Sequence, residues 1–145
     1  MNLFFDTNVL LDYLISTRPC HQDAGTLVKS VFCGDINGFI SSHSLTDIFY
    51  ISRTSYSVED RRQLLLLIVS SFQVISENRR DFVSVLTDKN FFDLEDGLQM
   101  KCAENTNLDY IVTENLKDFN NSKVPAVNIE TALKLISKKT RIKIK

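Results

Sequence analysis

Short apolar runs alternate with longer amphipathic segments along the chain. Residues 3–5 are one such run, within a strand predicted at residues 2–5, after which Val9, Leu10 and Leu14 recur at spacings typical of a helix. The run predicts a short buried strand, and the later spacing predicts one apolar face of a helix. The chain is therefore expected to change from strand to helix at about Asp6.

The same alternation continues towards the C-terminus. Further strands are predicted at residues 38–41, 72–75, 109–113 and 126–129. Helices are predicted at residues 23–32, 44–51, 78–87, 93–104 and 131–137, with one more that begins at Ser57. Apolar strands that alternate with helices favour a parallel sheet with both faces covered. The expected fold is α/β with a central, mainly parallel sheet.

Several helix boundaries carry side chains suited to capping. Ser44 and Ser57 are predicted N-caps, and Asp60, three residues after Ser57, makes a variant of the capping box. Gly34 follows the helix at 23–32, in the position where a C-cap glycine is common.

The length of 145 residues matches one ordinary domain. We predict a single domain at residues 1–137, followed by a basic tail at residues 138–145. A solvated tail is the simpler interpretation of this basic segment, and contact with phosphate is the alternative.

Charge and cysteine content narrow the functional classes. Seventeen Lys and Arg residues against eighteen Asp and Glu residues leave no broad basic field, so any nucleic-acid contact is expected to be local. Cys20, Cys33 and Cys102 are odd in number and lack CxxC spacing, which argues against a disulfide framework or a zinc site. We expect all three cysteines in the core and the protein in a reducing compartment.

The sequence indicates neither export nor membrane association. The N-terminal segment lacks the basic start and long apolar run of a signal peptide. The longest strictly apolar run, residues 64–69, is far shorter than the roughly 20 residues that a membrane span requires. A cytoplasmic location is therefore expected.

Acidic residues collect at one edge of the predicted sheet, beyond the carboxyl ends of the strands, where ligands bind in open parallel sheets. These residues are Asp6 after the first strand, Asp47 in the helix after the second, Asp93, Glu95 and Asp96 at the start of the helix 93–104, and Glu114 and Asp118 after the fourth strand, where Asn115 lies between them. Several carboxylates in one cleft raise one another's pKa unless a cation neutralises them. Mg²⁺ prefers such oxygen ligands.

Structural explanations compete with this metal site. Asp6 lies at a strand-to-helix turn, where Asp is a common N-cap. Asp93 and Asp96 resemble a capping pair in the first turn of a helix. His21 and His43 are interpreted as structural, since neither lies at metal-ligand spacing from a cysteine.

Three segments in order resemble the PIN-domain ribonucleases, and within them the VapC-like toxins of toxin–antitoxin pairs. They are FFDTNVLLDYL at the start, SSHSLTDIFYI in the middle and DLEDGLQMKCAENTNLDYIVTENLKDF towards the end. The resemblance spans nearly the whole chain and implies a three-layer α/β/α sandwich. It also implies cleavage of RNA with Mg²⁺ or Mn²⁺ held by three or four acids.

The resemblance assigns roles to individual positions. It implies that Asp6, Asp47 and Asp96 bind the metal, that Thr7 and Asn8 orient Asp6, and that Asp118 completes the catalytic acids, with Glu95, Thr113 and Asn115 in support. Two positions depart from the family pattern. Asp47 stands where the family usually has Glu, and Asn115 stands where it often has Asp.

The same resemblance implies partners and leaves alternatives. An RNA substrate is expected, together with an antitoxin that inserts a segment into the cleft. A homodimer is also expected, for which residues 64–69 are a candidate face, although much of this face is first interpreted as core. The main alternative is a catalytically inactive PIN fold that binds RNA or protein. A phosphatase of the haloacid dehalogenase type is disfavoured, because its second Asp is here Asn8.

Overall fold

Five strands form a central parallel sheet in the computed structural model, which describes residues 1–144 and the side chains of residues 1–141. The strands are β1 Asn2–Phe5, β2 Asn37–Ser41, β3 Gln73–Ile75, β4 Tyr110–Val112 and β5 Ala126–Val127. Their order across the sheet is β3-β2-β1-β4-β5, and every neighbouring pair is parallel. The prediction of a mainly parallel sheet is confirmed.

Helices connect the strands. They are α1 Thr7–Leu14, α2 His21–Phe32, α3 Ser42–Ile51, α4 Val58–Ser71, α5 Arg79–Thr87, α6 Leu94–Asn105 and α7 Ile129–Ile144, with short 3₁₀ turns at Ser52–Thr54 and Leu116–Phe119. The strand and helix at each predicted position exist, with shifts of a few residues at their ends. None of the helices in residues 1–144 has the length and hydropathy that a bilayer span requires.

Both faces of the sheet are covered. In β1, Leu3 and Phe5 face one side, where they pack with apolar residues of α1, α2, α4 and α7. Phe4 faces the other side, where it packs with Met100 of α6 and with Phe119. Alternate side chains of the strand therefore pack into two separate hydrophobic cores, one on each face of the sheet. The predicted three-layer α/β/α sandwich is confirmed.

Three of the predicted helix boundaries have the expected caps. The hydroxyl of Ser57 accepts a hydrogen bond from the Asp60 amide at 3.1 Å. The carboxylate of Asp93 accepts one from the Asp96 amide at 2.9 Å. After α2, Gly34 has a φ of +79°, a left-handed conformation that glycine adopts without steric cost.

Ser44 is not the N-cap of α3, so this prediction was wrong. The helix begins at Ser42, directly after β2, with Ser41 in the N-cap position. Ser44 is buried one turn into the helix, where its hydroxyl lies 2.7 Å from that of Thr7 and 2.8 Å from that of Ser41. A strand that runs straight into a helix leaves no loop from which the sequence could reveal the boundary.

The last helix is longer than predicted at both ends. It begins at Ile129, because the side chain of Asn128 caps it by accepting a hydrogen bond from the Thr131 amide at 2.8 Å. It continues past Ser137 to Ile144, so most of the basic segment 138–145 extends a helix, while Lys145 lies outside the described residues. The division into a domain at 1–137 and a tail at 138–145 stays a prediction.

Two predictions about burial were wrong. Cys33 is exposed, whereas Cys102 is buried and Cys20 partly buried, and all three thiols are free. In the segment 64–69, Ile68 is buried, but Leu66 is 62% exposed and Leu67 and Val69 are also exposed. A continuous apolar run on a helix points in all directions, so one sheet face cannot cover all of it.

Candidate functional site

Asp6 lies at the centre of the sheet's carboxyl edge. It follows β1, the middle strand, and its amide donates to the Val112 carbonyl of β4 at 3.0 Å. Its carboxylate is almost fully buried and accepts two side-chain hydrogen bonds, from the Thr113 hydroxyl to Oδ2 at 2.8 Å and from Gln99 Nε2 to Oδ1 at 3.2 Å. Side chains from β1, α6 and the end of β4 therefore meet at this carboxylate.

Asp6 does more than cap a helix. It occupies the N-cap position of α1, where its side chain makes no capping hydrogen bond of standard geometry. Burial raises its pKa above the ordinary value for Asp, although hydrogen bonds from the side chains of Thr113 and Gln99, and then from the backbone of Asn8 and Thr7, act in the opposite direction. A buried carboxylate of this kind favours a state in which a proton or a cation offsets its charge.

Asp96 lies beside Asp6 in the first turn of α6. The pKa of Asp96 is raised to about 7, first by burial and then by the negative charges of Asp93, Asp6 and Asp118. Its backbone amide is used by the Asp93 cap, whereas its carboxylate is half-buried among these other acids. Asp93 is therefore the N-cap of α6, as predicted. The carboxylate of Asp96 takes no part in this cap and is available for another role.

Asp118 and Asp96 line the same pocket, which has a volume of about 140 Å³. Asp118 belongs to the 3₁₀ turn Leu116–Phe119, and Lys117 lines the pocket with it. Asn115 precedes this turn, and its amide donates to the Thr113 hydroxyl at 3.0 Å. Thr113 therefore links the turn to Asp6, while Asn115 itself is exposed.

Asp47 lies in a different cluster from Asp6. One ligand atom from each of His43, Asp47 and Glu95 lies within 4.8 Å of the others. Burial and then the charge of Asp47 raise the pKa of Glu95. The Thr7 hydroxyl lies 3.2 Å from Glu95 Oε1, so Thr7 and Glu95 connect this cluster to their sequence neighbours Asp6 and Asp96.

The side chains of Thr7 and Asn8 form hydrogen bonds away from Asp6. Thr7 contacts Ser44 and Glu95. The Asn8 carbonyl accepts a hydrogen bond from Arg18 Nη2 at 3.2 Å, and Arg18 also forms a 2.8 Å ion pair with Asp12. The role of these two residues in orienting Asp6 stays a prediction, and Thr113 and Gln99 make the side-chain contacts to its carboxylate.

Two residues near the acids, Gln99 and His43, are not among the predicted site residues. Gln99 lies three residues after Asp96, a spacing that places both residues near one face of α6. This spacing from a predicted site residue could have indicated Gln99. His43 precedes Asp47 by four residues, which is again one helix face. Its other neighbours, Glu77 and Glu95, are distant in sequence, and no local pattern indicates them.

The chemistry of Asp6, Asp96 and Asp118 suits a hard divalent cation, although among the described residues their carboxylate oxygens do not all lie within 4.8 Å of one another. Among the residues that the structure describes, Asp6, Asp47, Asp96 and Asp118 form no ion pair with Lys or Arg, so the carboxylates lack a resident counter-charge. Buried Gln99 also keeps an Oε1 without a hydrogen-bond partner, next to Asp6, in this part of the structure. Carboxylate and amide oxygens are the ligands that Mg²⁺ prefers.

A family model and several solved structures match this chain. The family model of the PIN domain matches residues 2–117. No curated protein matches the chain by sequence.

Solved structures match the fold over most of the chain. A chain of VapBC-1 from nontypeable Haemophilus influenzae has a TM-score of 0.66 at 17% identity, over 90% of this chain and 99% of that chain. A chain of VapBC2 from Rickettsia felis, bound to a promoter DNA fragment, has a TM-score of 0.65 at 18% identity, over 88% of this chain and 98% of that chain. VapC20 from Mycobacterium tuberculosis, a toxin that cleaves the sarcin-ricin loop, has a TM-score of 0.61 at 11% identity, over 75% of this chain and 86% of that chain.

At these identities the solved structures establish the fold, and the family model establishes the family. The model covers the strands β1 to β4 and the acids Asp6, Asp47, Glu95 and Asp96, and it ends at Lys117, one residue before Asp118. The chain belongs to the PIN-domain family.

Proposed function

We propose that this protein is a metal-dependent endoribonuclease and the toxin of a toxin–antitoxin pair. The observation that carries the proposal is the proximity of Asp6 and Asp118 to Asp96 at the carboxyl edge of the sheet, where their charges and burial raise the pKa of Asp96 to about 7. None of these three acids pairs with a Lys or Arg among residues 1–141. Such a group of acids repels phosphate unless a cation is bound. Membership of the PIN-domain family also supports a nuclease function.

Asp6 and Asp96 are the residues that would hold the cation. Asp118 and Asn115 lie near them, and Asp47 lies in the adjoining cluster with His43 and Glu95. Mg²⁺ or Mn²⁺ suits these oxygen donors. When bound, such an ion lowers the pKa of a water molecule and offsets the negative charge that develops on the phosphodiester during hydrolysis.

The remaining side chains position the acids. Thr113 and Gln99 each donate to one oxygen of Asp6 and so fix the plane of its carboxylate. Thr7 contacts Glu95 and holds the first turn of α6 against the start of α1. Lys117, on the rim of the pocket that Asp96 and Asp118 line, is a cation within reach of a phosphate bound there.

RNA is the proposed substrate and an antitoxin the proposed partner. Structures similar to this chain include a toxin that cleaves the sarcin-ricin loop and several toxin–antitoxin complexes, among them one from Klebsiella pneumoniae. An antitoxin Arg inserted among Asp6, Asp96 and Asp118 would satisfy their charges in place of the cation. The exposed face of α4, with Leu66, is the proposed homodimer contact. The cytoplasm, where RNA is present, is the proposed location.

The proposal is tested by incubating total cellular RNA with purified, antitoxin-free protein in Mg²⁺ or Mn²⁺. Cleavage at discrete positions is expected, and end-mapping of the products identifies the substrate. EDTA and the double variant Asp6→Asn, Asp96→Asn should both abolish cleavage. Asp35→Asn, which removes an exposed carboxylate just before β2, at the edge of the parallel sheet opposite the site, is the matched control and should cleave as the wild type does.

The alternative function is a PIN-fold module that binds RNA or protein without catalysis. Wild-type protein that is folded, free of antitoxin and loaded with metal but leaves RNA intact would support this alternative. The retention of bound RNA or of a protein partner during purification would then become the next measurement.

A further inference from the structure

Phe92 presents its ring almost entirely to solvent. It lies in the loop before α6 and is 96% exposed, the largest value among the apolar side chains of residues 1–141. A single exposed Leu or Val on a surface is ordinary, whereas an aromatic ring normally buries much of its area in a core or an interface. The ring of Phe92 is therefore a candidate contact for a molecule outside this chain.

The loop that carries Phe92 has a defined conformation. Its neighbour Phe91 packs into the hydrophobic core on the Phe4 side of the sheet. The Phe91 amide donates to the Asp88 carbonyl at 3.2 Å, and the Asn90 amide donates to Asp88 Oδ1 at 2.9 Å. Because Phe91 anchors the inner side of this loop, the next side chain along the chain is held outwards.

Phe92 lines the same pocket as Asp96 and Asp118. The loop before α6 forms one wall of this pocket, and the 3₁₀ turn Leu116–Phe119 with the two residues after it forms another. The Asn121 amide nitrogen Nδ2 donates to the Asn90 carbonyl at 2.8 Å and so joins the two walls. The ring therefore stands at the rim of the pocket that two of the proposed active-site acids line.

The remaining lining of the pocket suits a nucleotide better than a protein segment. Apart from Phe92, only Phe91 and Met100 are apolar among the lining residues. An amide side chain can both donate and accept hydrogen bonds, as the polar edge of a nucleobase requires, and a Lys suits a phosphate. The pocket has three such amides and one such Lys, namely Asn90, Asn120, Asn121 and Lys117.

We infer that Phe92 stacks on an unpaired nucleobase of the RNA substrate, next to the phosphodiester at Asp96 and Asp118. The inference rests on the proposed function, because it takes RNA as the ligand at this edge of the sheet. Every nucleobase has a π face, so stacking tolerates different sequences. In a duplex the neighbouring base pairs cover both faces, so the contact requires a nucleotide in a single strand or a loop.

Tryptophan fluorescence tests the stack directly, because the chain has no Trp and Phe92→Trp places a single indole at the pocket. The measurement uses the Asp96→Asn background, in which RNA should stay intact, with excess Mg²⁺. Short single-stranded RNA of random sequence should quench the emission, and an RNA duplex of the same length should quench it much less. Tyr50→Trp is the matched control and should respond little to either RNA. Tyr50 is 62% exposed and lies in the last turn of α3, away from the carboxyl edge.

Three further substitutions at Phe92 separate stacking from general apolar contact. In the same background, Phe92→Tyr keeps the ring and should bind single-stranded RNA with the affinity of the parent protein. Phe92→Leu keeps an apolar side chain without a π face, and Phe92→Ala removes the side chain. Both should bind about 5- to 100-fold more weakly. Because the ring is almost fully exposed, none of the three should change the midpoint of thermal unfolding.

The outcomes distinguish failure of this inference from failure of the proposed function. Equal RNA affinity of Phe92→Ala and its parent, or bound RNA that leaves the emission of Phe92→Trp unchanged, would overturn the stack while RNA cleavage by the wild type still stands. Loss of antitoxin binding with unchanged RNA affinity in Phe92→Ala would assign the ring to a protein contact and overturn it too. A wild-type protein that neither binds nor cleaves RNA would overturn both proposals.

Discussion

The hydroxyl of Thr113 donates a 2.8 Å hydrogen bond to Asp6 Oδ2, and both side chains are buried at the ends of neighbouring strands. The same hydroxyl accepts from the Asn115 amide at 3.0 Å. One side chain therefore fixes the central carboxylate of the site and the turn that carries Asp118.

Replacing Thr113 by Val removes this donor with little change in shape. The pKa of Asp6 should rise further, and the Mg²⁺ concentration that gives half-maximal RNA cleavage should increase about 10- to 100-fold. Thr113→Ser keeps the hydroxyl and should behave as the wild type does. Equal Mg²⁺ requirements for Thr113→Val and Thr113→Ser would show that the hydrogen bond does not tune the site.

Substitution of Gln99 should change the Mg²⁺ requirement for cleavage more than it changes the free energy of unfolding. Gln99→Met removes the 3.2 Å hydrogen bond to Asp6 but also removes a buried Oε1 that has no partner in the described part of the chain. These effects on the free energy of unfolding oppose each other. In EDTA, we expect a change of less than about 2 kcal/mol by chemical denaturation, while the Mg²⁺ requirement for cleavage rises.

Gln63→Met is the matched control for this substitution, since Gln63 is exposed on α4. It should change neither the stability nor the Mg²⁺ requirement. A stability loss in Gln99→Met well above 2 kcal/mol, with an unchanged Mg²⁺ requirement, would make Gln99 a core residue rather than a support for Asp6.

The stability of the metal-free protein should fall as the pH rises from about 4 to about 7 and should level off above that. Burial and neighbouring acids raise the pKa of Asp96 from 3.8 in the unfolded chain to about 7 in the folded one. Between these values the folded state binds more protons than the unfolded state, so raising the pH favours unfolding. The side chain is about half-exposed, which screens the effect to the order of 1 kcal/mol.

Urea denaturation in EDTA at pH 5.5 and pH 8 measures this dependence. Asp96→Asn should reduce the difference between the two pH values and should stabilise the metal-free protein at pH 8. Mg²⁺ should stabilise the wild type at pH 8 more than the variant. A wild-type protein that is more stable at pH 8 than at pH 5.5 without metal would contradict the account of Asp96.

The exposed face of α4 predicts self-association. Leu66 is 62% exposed and lines a shallow apolar surface with Phe49, Leu65 and Val69. If this face is the homodimer contact, Leu66→Glu should shift the protein from dimer to monomer in light scattering after gel filtration. Leu86→Glu, at a 68% exposed position on α5, should leave the dimer intact. Identical masses for the wild type and Leu66→Glu would exclude this face as the contact.

The strand and helix order could be predicted because it depends on local patterns. The strand predicted at residues 2–5 is β1, and the Ser57 and Asp93 caps follow from neighbours three residues away. Local patterns failed where tertiary contacts decide. Serine is common at N-cap positions, but the hydroxyl of Ser44 is buried against Thr7, which is distant in sequence.

The candidate site shows the same limit. The acids themselves follow from the strand ends and from the family resemblance, but their grouping does not. Asp47 lies with Glu95 and His43, and the side-chain supports of Asp6 come from Gln99 and Thr113. These groupings depend on how α3 and α6 pack at the edge of the sheet, which single-sequence spacing does not encode.

The role of the acids in metal-dependent cleavage can be decided by measuring the Mg²⁺ dependence of RNA cleavage for the wild type and Asp96→Asn, side by side on the mapped substrate. Wild-type cleavage should saturate with Mg²⁺, stop in EDTA and return when excess Mg²⁺ is restored. Folded Asp96→Asn should cleave at least about 100-fold more slowly at every Mg²⁺ concentration. Cleavage that persists in EDTA, or that proceeds at the wild-type rate in Asp96→Asn, would contradict this role of the acids.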